Sequence, residues 1–291
     1  METQYRHISS MGTRLDMVFP GMKPDFCDGL ITQIESELHR LDALLSIHRF
    51  DSELSHLNGT GFAGTIEISQ ELYDILSQVK KLSDEAGGYF DVTMKPVSDF
   101  LQSKEGQEQI VDQHTLDVVG MDKLMIEKEG VRFRREGVML DLGGYGKGYA
   151  VKRIIMILQS AGIECALISF GESLIYGLGS HPYGETWRVS LPGEDPKRPV
   201  EFDLMDEALS TSGNSLNNQK KFANSGHIVN PITFQMTTME GLVSVKAKDP
   251  VKAEVYSTAL FSAGPDLSKE IIKSVPGVEY RWVGPYSNGT I

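Results

Sequence analysis

Apolar residues recur along this chain at two spacings. From Phe26 to Leu45 they fall at Phe26, Leu30, Ile34, Leu38, Leu41 and Leu45, the three- and four-residue steps of one helix face. "RLDMVF" (14–19) alternates instead, as a strand with one buried side does. The polar stretch "SIHRFDSELSHLNG" (46–59) predicts a loop with a short helix. "SQELYDILSQVKKLSDEAGG" (69–88) predicts a second long helix, with Ser69 as N-cap and Gly87-Gly88 as the stop. "GYFDVTMKPV" (88–97) reads as a strand or an extended loop, and residues 101–122 carry little pattern.

Farther on, "KLMIEKEGVRFRREGVMLDL" (123–142) reads as a β-meander with turns at "KEG" and "REG". A glycine turn, "DLGGYGKGYA" (141–150), leads into a helix that runs through Leu158. "ECALISF", "GESLIYGLGS" and "WRVSL" follow as strands. "ALSTSGN" (208–214) and "GHIVNP" (226–231) read as polar, turn-rich segments. "LVSVKAKDP" is a strand ending at proline, "PVKAEVYSTALFSAG" a helix stopped by glycine, and "VEYRWV" a last strand. Helices and strands alternate without a repeat or a linker. The pattern predicts an α/β fold with an α+β tendency and an antiparallel component, as one domain over residues 1–291.

Composition narrows this little further. With 291 residues, 40% of them hydrophobic and 23% charged, the chain supports a sizeable core. The net charge of −12 excludes a basic nucleic-acid footprint. An anionic ligand would need a local counter-charge: a lysine, a helix N-terminus or a metal ion. Cys27 and Cys165 are the only cysteines and match no metal spacing, so both read as buried or incidental thiols. No apolar run approaches the ~20 residues of a membrane span. "METQYRHISSMG" has no apolar core of a signal peptide, which makes the cytoplasm the expected compartment.

The glycine turn is the first candidate for chemistry. Its G-x-G-x-G lacks the third glycine spacing of a dinucleotide fingerprint, and Gly148 stands where a P-loop needs Ser or Thr. Two readings stay open. Glycine is needed for tight strand-to-helix packing, or the backbone cradles a phosphate at the helix N-terminus, with Asp141 pointing into the site and Lys147 meeting the anion.

"MGT" (11–13), "DSELSHLN" (51–58), "GYFDVT" (88–93), "STSGN" (210–214), "GHIVNP" (226–231) and "AEVYSTALF" (253–261) surround that turn in order. Together they resemble the ApbE-like family of FAD:protein FMN transferases, from about Tyr5 to Val283. The resemblance implies an α/β unit of two sub-regions with FAD in the cleft between them. It implies magnesium-dependent transfer of FMN from FAD to a threonine hydroxyl of a target flavoprotein, with AMP released, or hydrolysis of FAD to FMN and AMP. Most members work outside the cytoplasmic membrane behind an N-terminal leader, so a periplasmic or membrane-anchored form is the alternative to the cytoplasm.

Residue by residue, the resemblance implies that Met11 touches the flavin and that His48 stands at a position where a tyrosine often contacts FAD. It implies that Tyr89, Phe90 and Asp91 line the cofactor, that Asp141 and Lys147 meet the nucleotide, and that Val229 is an apolar contact. Gly144, through its carbonyl, Glu254 and Thr258 would hold magnesium. Glu254 and Thr258 are four apart on a helix and share a face, and oxygen donors suit that ion. The plain alternative is an exposed glutamate beside a threonine bonded to its own helix backbone. His227 matches a histidine implicated in activity, as general base or as partner of the leaving phosphate; alternatively it donates to a loop carbonyl. Asp91 and Asp141 alternatively cap turn amides.

Several positions depart from the family. Glu254 replaces an aspartate and, being longer, is expected to overshoot an aspartate-sized site. Asn230 replaces an aspartate, while Phe234 and Glu172 stand where glycine is common. Two functions follow: a magnesium-dependent flavin transferase, or a non-catalytic flavin-binding protein on the same fold.

Overall fold

The computed structural model describes residues 2–103, 110–191, 199–214 and 228–283. Strands β1 (Thr3–Ser10) and β2 (Thr13–Pro20) form a hairpin with Met11 and Gly12 as its turn. Both turn residues have positive φ, 49° and 72°, the backbone that matches the twist of a two-residue hairpin. Helix α1 (Pro24–Leu45) starts on a proline and buries Cys27, Leu30, Ile34, Leu38, Leu41, Leu44 and Leu45. Phe26, expected to begin that stripe, is 51% exposed. In the first turn Cys27 takes the inward direction, and Phe26 lies a hundred degrees round from it.

Ser52 caps α2 (Glu53–Thr60), and Ser69 caps α3 (Gln70–Glu85) by accepting the Leu72 N–H at 3.2 Å. The chain leaves α3 through Gly87 and Gly88, both at positive φ, as the pattern predicts. Residues 88–94 are a loop, 95–97 already belong to α4 (Lys95–Gln102), and α5 (Gln113–Asp117) follows. The meander is a single hairpin of β3 (Leu124–Glu127) and β4 (Gly130–Phe133). Its expected third strand, 138–142, joins no ladder and pairs elsewhere: the Asn58 amide brackets Leu140 with two 2.9 Å bonds, and the Asp141 N–H meets the Val92 carbonyl at 2.7 Å.

After the glycine turn come α6 (Gly146–Ser160), β5 (Ala166–Phe170), β6 (Leu174–Leu178), β7 (Trp187–Leu191), β8 (Val200–Leu204) and β9 (Glu207–Asn214). Then follow β10 (Val229–Asn230), β11 (Gln235–Met236), β12 (Gly241–Ala247), α7 (Pro250–Ala263), α8 (Pro265–Ile272) and β13 (Val278–Val283). A seven-stranded sheet in the order β1-β2-β5-β6-β9-β12-β13 organises the molecule, and every pairing in it is antiparallel.

Alternation splits that sheet into two faces. Ile168, Phe170, Leu174, Tyr176 and Ala208 join the main core, which also holds the inward sides of α1, α6 and α7. Their neighbours Leu167, Ile175 and Leu209 point the other way, onto the β7–β8 ribbon with Trp187, Val189, Phe202 and Leu204. Residues 208–214, expected as a turn-rich segment, are the β9 strand. Its serines escape the usual polar logic because their partners are buried: Ser210 and Ser212 each lie 2.9 Å from Ser257 Oγ on α7, and Thr211 lies 3.0 Å from Ser244 on β12. Buried hydroxyls so paired carry no desolvation penalty comparable to unpaired ones.

Candidate active site

The glycine turn holds two things apart from itself. None of its glycines has positive φ; Gly148 is required by a close approach, and Gly144 and Gly146 sit in tight contacts. A Cβ on Gly148 would sit 2.7 Å from the Pro250 carbonyl and 2.8 Å from Val251 Cα, so the start of α6 crosses the start of α7 backbone to backbone. A Cβ on Gly144 would sit 3.1 Å from Phe90 Cε2 and 3.4 Å from Thr258 Oγ1, and one on Gly146 would sit 3.2 Å from Met11 Cε. The turn thus gathers the β1–β2 hairpin tip, the 88–94 loop and α7 around one helix N-terminus. Its own backbone is fixed from inside: Asp141 Oδ1 accepts the Gly143 N–H at 2.9 Å, and the Leu142 carbonyl accepts from Tyr145 and Gly146.

In front of the turn lies a cavity of about 700 Å³. Tyr89, Phe90 and Val229 supply apolar wall, and Asp91, Asp141, Gly144 and Lys147 supply polar wall beside Glu254 and Thr258 from α7. Glu254 is 3% exposed and bridges two helices. Its Oε2 accepts the Gly148 N–H of α6 at 2.5 Å, and its Oε1 lies 2.5 Å from Lys147 Nζ. The second contact is an ion pair out of hydrogen-bond alignment, since Oε1 is buried without a donor in line. Thr258 Oγ1 donates to the Glu254 carbonyl one turn back, at 3.1 Å.

The profile of the ApbE family matches residues 11–282. The chain belongs to the ApbE family. A curated FAD:protein FMN transferase of Escherichia coli (strain K12) is 25% identical over 280 residues, covering 91% of this chain and 79% of that protein. The FAD:protein FMN transferase of Haemophilus influenzae is 27% identical over 259 residues, covering 82% and 74%. Among solved structures, the apo form of the Pseudomonas stutzeri flavinyl transferase ApbE superposes with a TM-score of 0.82 at 23% identity, over 97% of this chain and 91% of that one. The flavin transferase ApbE from Vibrio cholerae gives 0.79 at 22%, over 98% of both. At these identities the structures establish a common fold.

On this ApbE chain the sequence expectations separate. The cavity brings together Tyr89, Phe90, Asp91, Asp141, Gly144, Lys147, Val229, Glu254 and Thr258. Met11 stands just behind, over the first turn of α6, in a left-handed backbone that methionine seldom adopts. His48 is exposed in the segment between α1 and α2, its N–H on Ser46 Oγ at 3.2 Å, and it is not among the cavity-lining residues. His227 lies outside the described residues.

The plain alternatives for several residues are realised as well. Asp141 caps an amide of the turn. Asp91 Oδ1 accepts the Thr93 N–H at 2.7 Å and its hydroxyl at 2.6 Å, and burial pushes the Asp91 carboxyl up from its ordinary range. Asn230 holds its own turn by accepting the Ile232 and Thr233 N–H groups and donating to the Ser262 carbonyl. Glu172 and Phe234, expected from the resemblance to stand where glycine is common, both adopt a left-handed backbone, with φ of 60° and 57°. The cavity also takes in Lys95, Ser98, Glu172 and the β9 hydroxyls of Ser210 and Ser212, which sequence reasoning did not single out as ligands. "STSGN" was the available signal for the last two, but its serines looked like turn chemistry.

The resemblance implies a divalent cation at Gly144, Glu254 and Thr258. Among the described residues no group of three His, Cys, Asp or Glu side chains could hold a metal unaided. What α7 and the turn offer is a hydroxyl, a backbone carbonyl and one buried carboxylate whose Oε1 lacks an aligned donor. All are hard oxygens, a set that suits magnesium completed by phosphate or water oxygens.

Proposed function

We propose that this chain is an FAD:protein FMN transferase that uses magnesium to move FMN from FAD to a threonine hydroxyl of a target flavoprotein and releases AMP. One observation carries the reading: apolar flavin-side residues and polar phosphate-side residues, distant in sequence, line a single cavity of about 700 Å³, within the size range of small-molecule sites. The charge balance of its walls supports the metal. Asp91, Asp141, Glu172 and Glu254 outnumber Lys95 and Lys147, so a pyrophosphate bound there requires added positive charge.

Bound magnesium would neutralise phosphate charge as the bond to AMP breaks. The chain's own residues do the rest. Tyr89, Phe90 and Val229 offer contact area to the flavin ring, and the start of α6 turns its positive dipole end toward the phosphates. The threonine oxygen forms a bond to the phosphorus of the FMN half. The bridging oxygen leaves with AMP, and the threonine proton passes to a base, a role we give to His227.

The test is to incubate the protein with FAD and magnesium, with and without a flavoprotein domain bearing an acceptor threonine, and to follow AMP by chromatography and the acceptor by mass. AMP and an FMN-bearing acceptor are expected, both lost with chelator. AMP without acceptor modification marks a hydrolase. FAD bound without AMP release leaves the non-catalytic flavin-binding protein.

A further inference from the structure

We infer that Lys147 is a tethered cation that occupies Glu254 until a divalent ion displaces it, so that metal entry and lysine release are one exchange. This rests on the metal reading above and goes further, by assigning the ammonium a second station. Glu254 cannot turn away to make room, because its Oε2 is committed to the Gly148 N–H at 2.5 Å. Only Oε1 is left for a cation. Lys147 Nζ stands there at 2.5 Å as an ion pair, while Oε1 accepts no aligned hydrogen bond.

The two partners differ in freedom. The Glu254 side chain is 4% exposed, that of Lys147 25%. The lysine stem comes in from the open side, its Cδ 3.6 Å from where a Cβ on Gly171 would stand, and Gly171 and Lys147 both line the cavity. Lysine has a flexible stem with a compact charge, so its head can leave Glu254 and stay in the cavity. A divalent ion and an ammonium compete for one carboxylate oxygen, since like charges that close repel strongly where water is scarce. A metal arriving at Oε1 therefore expels Nζ into the space where the FAD phosphates would lie. The pair keeps a buried carboxylate compensated in the metal-free protein, then gives its positive charge to the substrate.

The readout is metal binding without turnover. Manganese is titrated into the nucleotide-free protein and free Mn²⁺ is followed by electron paramagnetic resonance, for wild type, Lys147→Met, Lys147→Gln, Lys147→Arg and Glu254→Gln. Thermal melts confirm which variants are folded. With the ammonium gone, Lys147→Met and Lys147→Gln are expected to bind Mn²⁺ ~10-fold more tightly or better, a change of about 1.4 kcal/mol. Lys147→Arg, which keeps the pair, binds as weakly as wild type, and Glu254→Gln binds least. If the folded neutral variants bind Mn²⁺ no more tightly than wild type, the exchange is wrong while the metal reading stands. If wild type binds none even with ADP present as an unreactive pyrophosphate, or if Glu254→Gln binds as wild type does, the metal site is elsewhere and both ideas fall.

Discussion

Phe90 Cε2 stands 3.1 Å from the point where a Cβ on Gly144 would lie, and Thr258 Oγ1 stands 3.4 Å from the same point. The contact locks the 88–94 loop against the glycine turn. Gly144→Ala must push Phe90 by a few tenths of an ångström in a packed wall, at a cost of ~1–3 kcal/mol. Urea unfolding measures that cost. FAD affinity, followed by flavin fluorescence, is expected to fall as the loop moves, whereas Gly59→Ala, with open space at its Cβ, leaves it unchanged.

Glu254 reaches across to α6, where its Oε2 accepts the Gly148 N–H at 2.5 Å. Shortening it removes a charge-assisted bond to a buried N–H at the α6–α7 crossing. Glu254→Asp is therefore expected to lower stability by about 1–3 kcal/mol. Unchanged unfolding would show that the aspartate reaches α6 by itself or that water replaces it.

Glu172 and Phe234 share a left-handed backbone but not their surroundings. Replacing Glu172 by glycine relieves strain, partly offset by a more flexible unfolded chain, for a net gain of ~0.5–1 kcal/mol. Phe234→Gly relieves the same strain but empties the contacts Phe234 makes with the small core of Met94, Val97 and Val229. The melting temperature is expected to rise for the first and fall for the second. Two shifts of the same sign would contradict this account.

Acid sensitivity has a nameable source. Arg40, with Arg153, holds the Glu37 carboxyl below the usual carboxylate range, and Arg40 does the same to Glu71. Arg153 and Glu37 meet at 2.7 Å, joining α6 to α1. A depressed folded-state value means that this stabilisation is fully present above the unfolded value of ~4.3 and is lost as pH falls through the folded one. Glu37→Gln is expected to cost about 1–2 kcal/mol at pH 7. The gap to wild type should close below about pH 4. A gap independent of pH would point to packing instead.

Histidine chemistry gives the last expectation. His227→Ala should slow AMP release by ~10²-fold or more, the scale of a positioned acid or base, with FAD affinity little changed. Full turnover in that variant would remove His227 from the mechanism.

The long helices and most strands were legible in the chain because their determinants are local. Helical spacing marked α1, Ser69 and Gly87-Gly88 bounded α3, and period-two alternation marked β2. The order of short segments around the glycine turn was enough to indicate the family and most of the cavity wall. Three things lay beyond it. Serines 210 and 212 look like turn residues until Ser257 arrives from another helix to pair them, which is why β9 was not seen. The glycines of the turn serve close approach and not unusual φ, a distinction that exists only once Phe90 and Pro250 are packed against them. And Glu254 has no visible reason to be longer than an aspartate until α6 and α7 cross: the reach of one methylene acquires meaning from a contact 106 residues away in the chain, which no local pattern encodes.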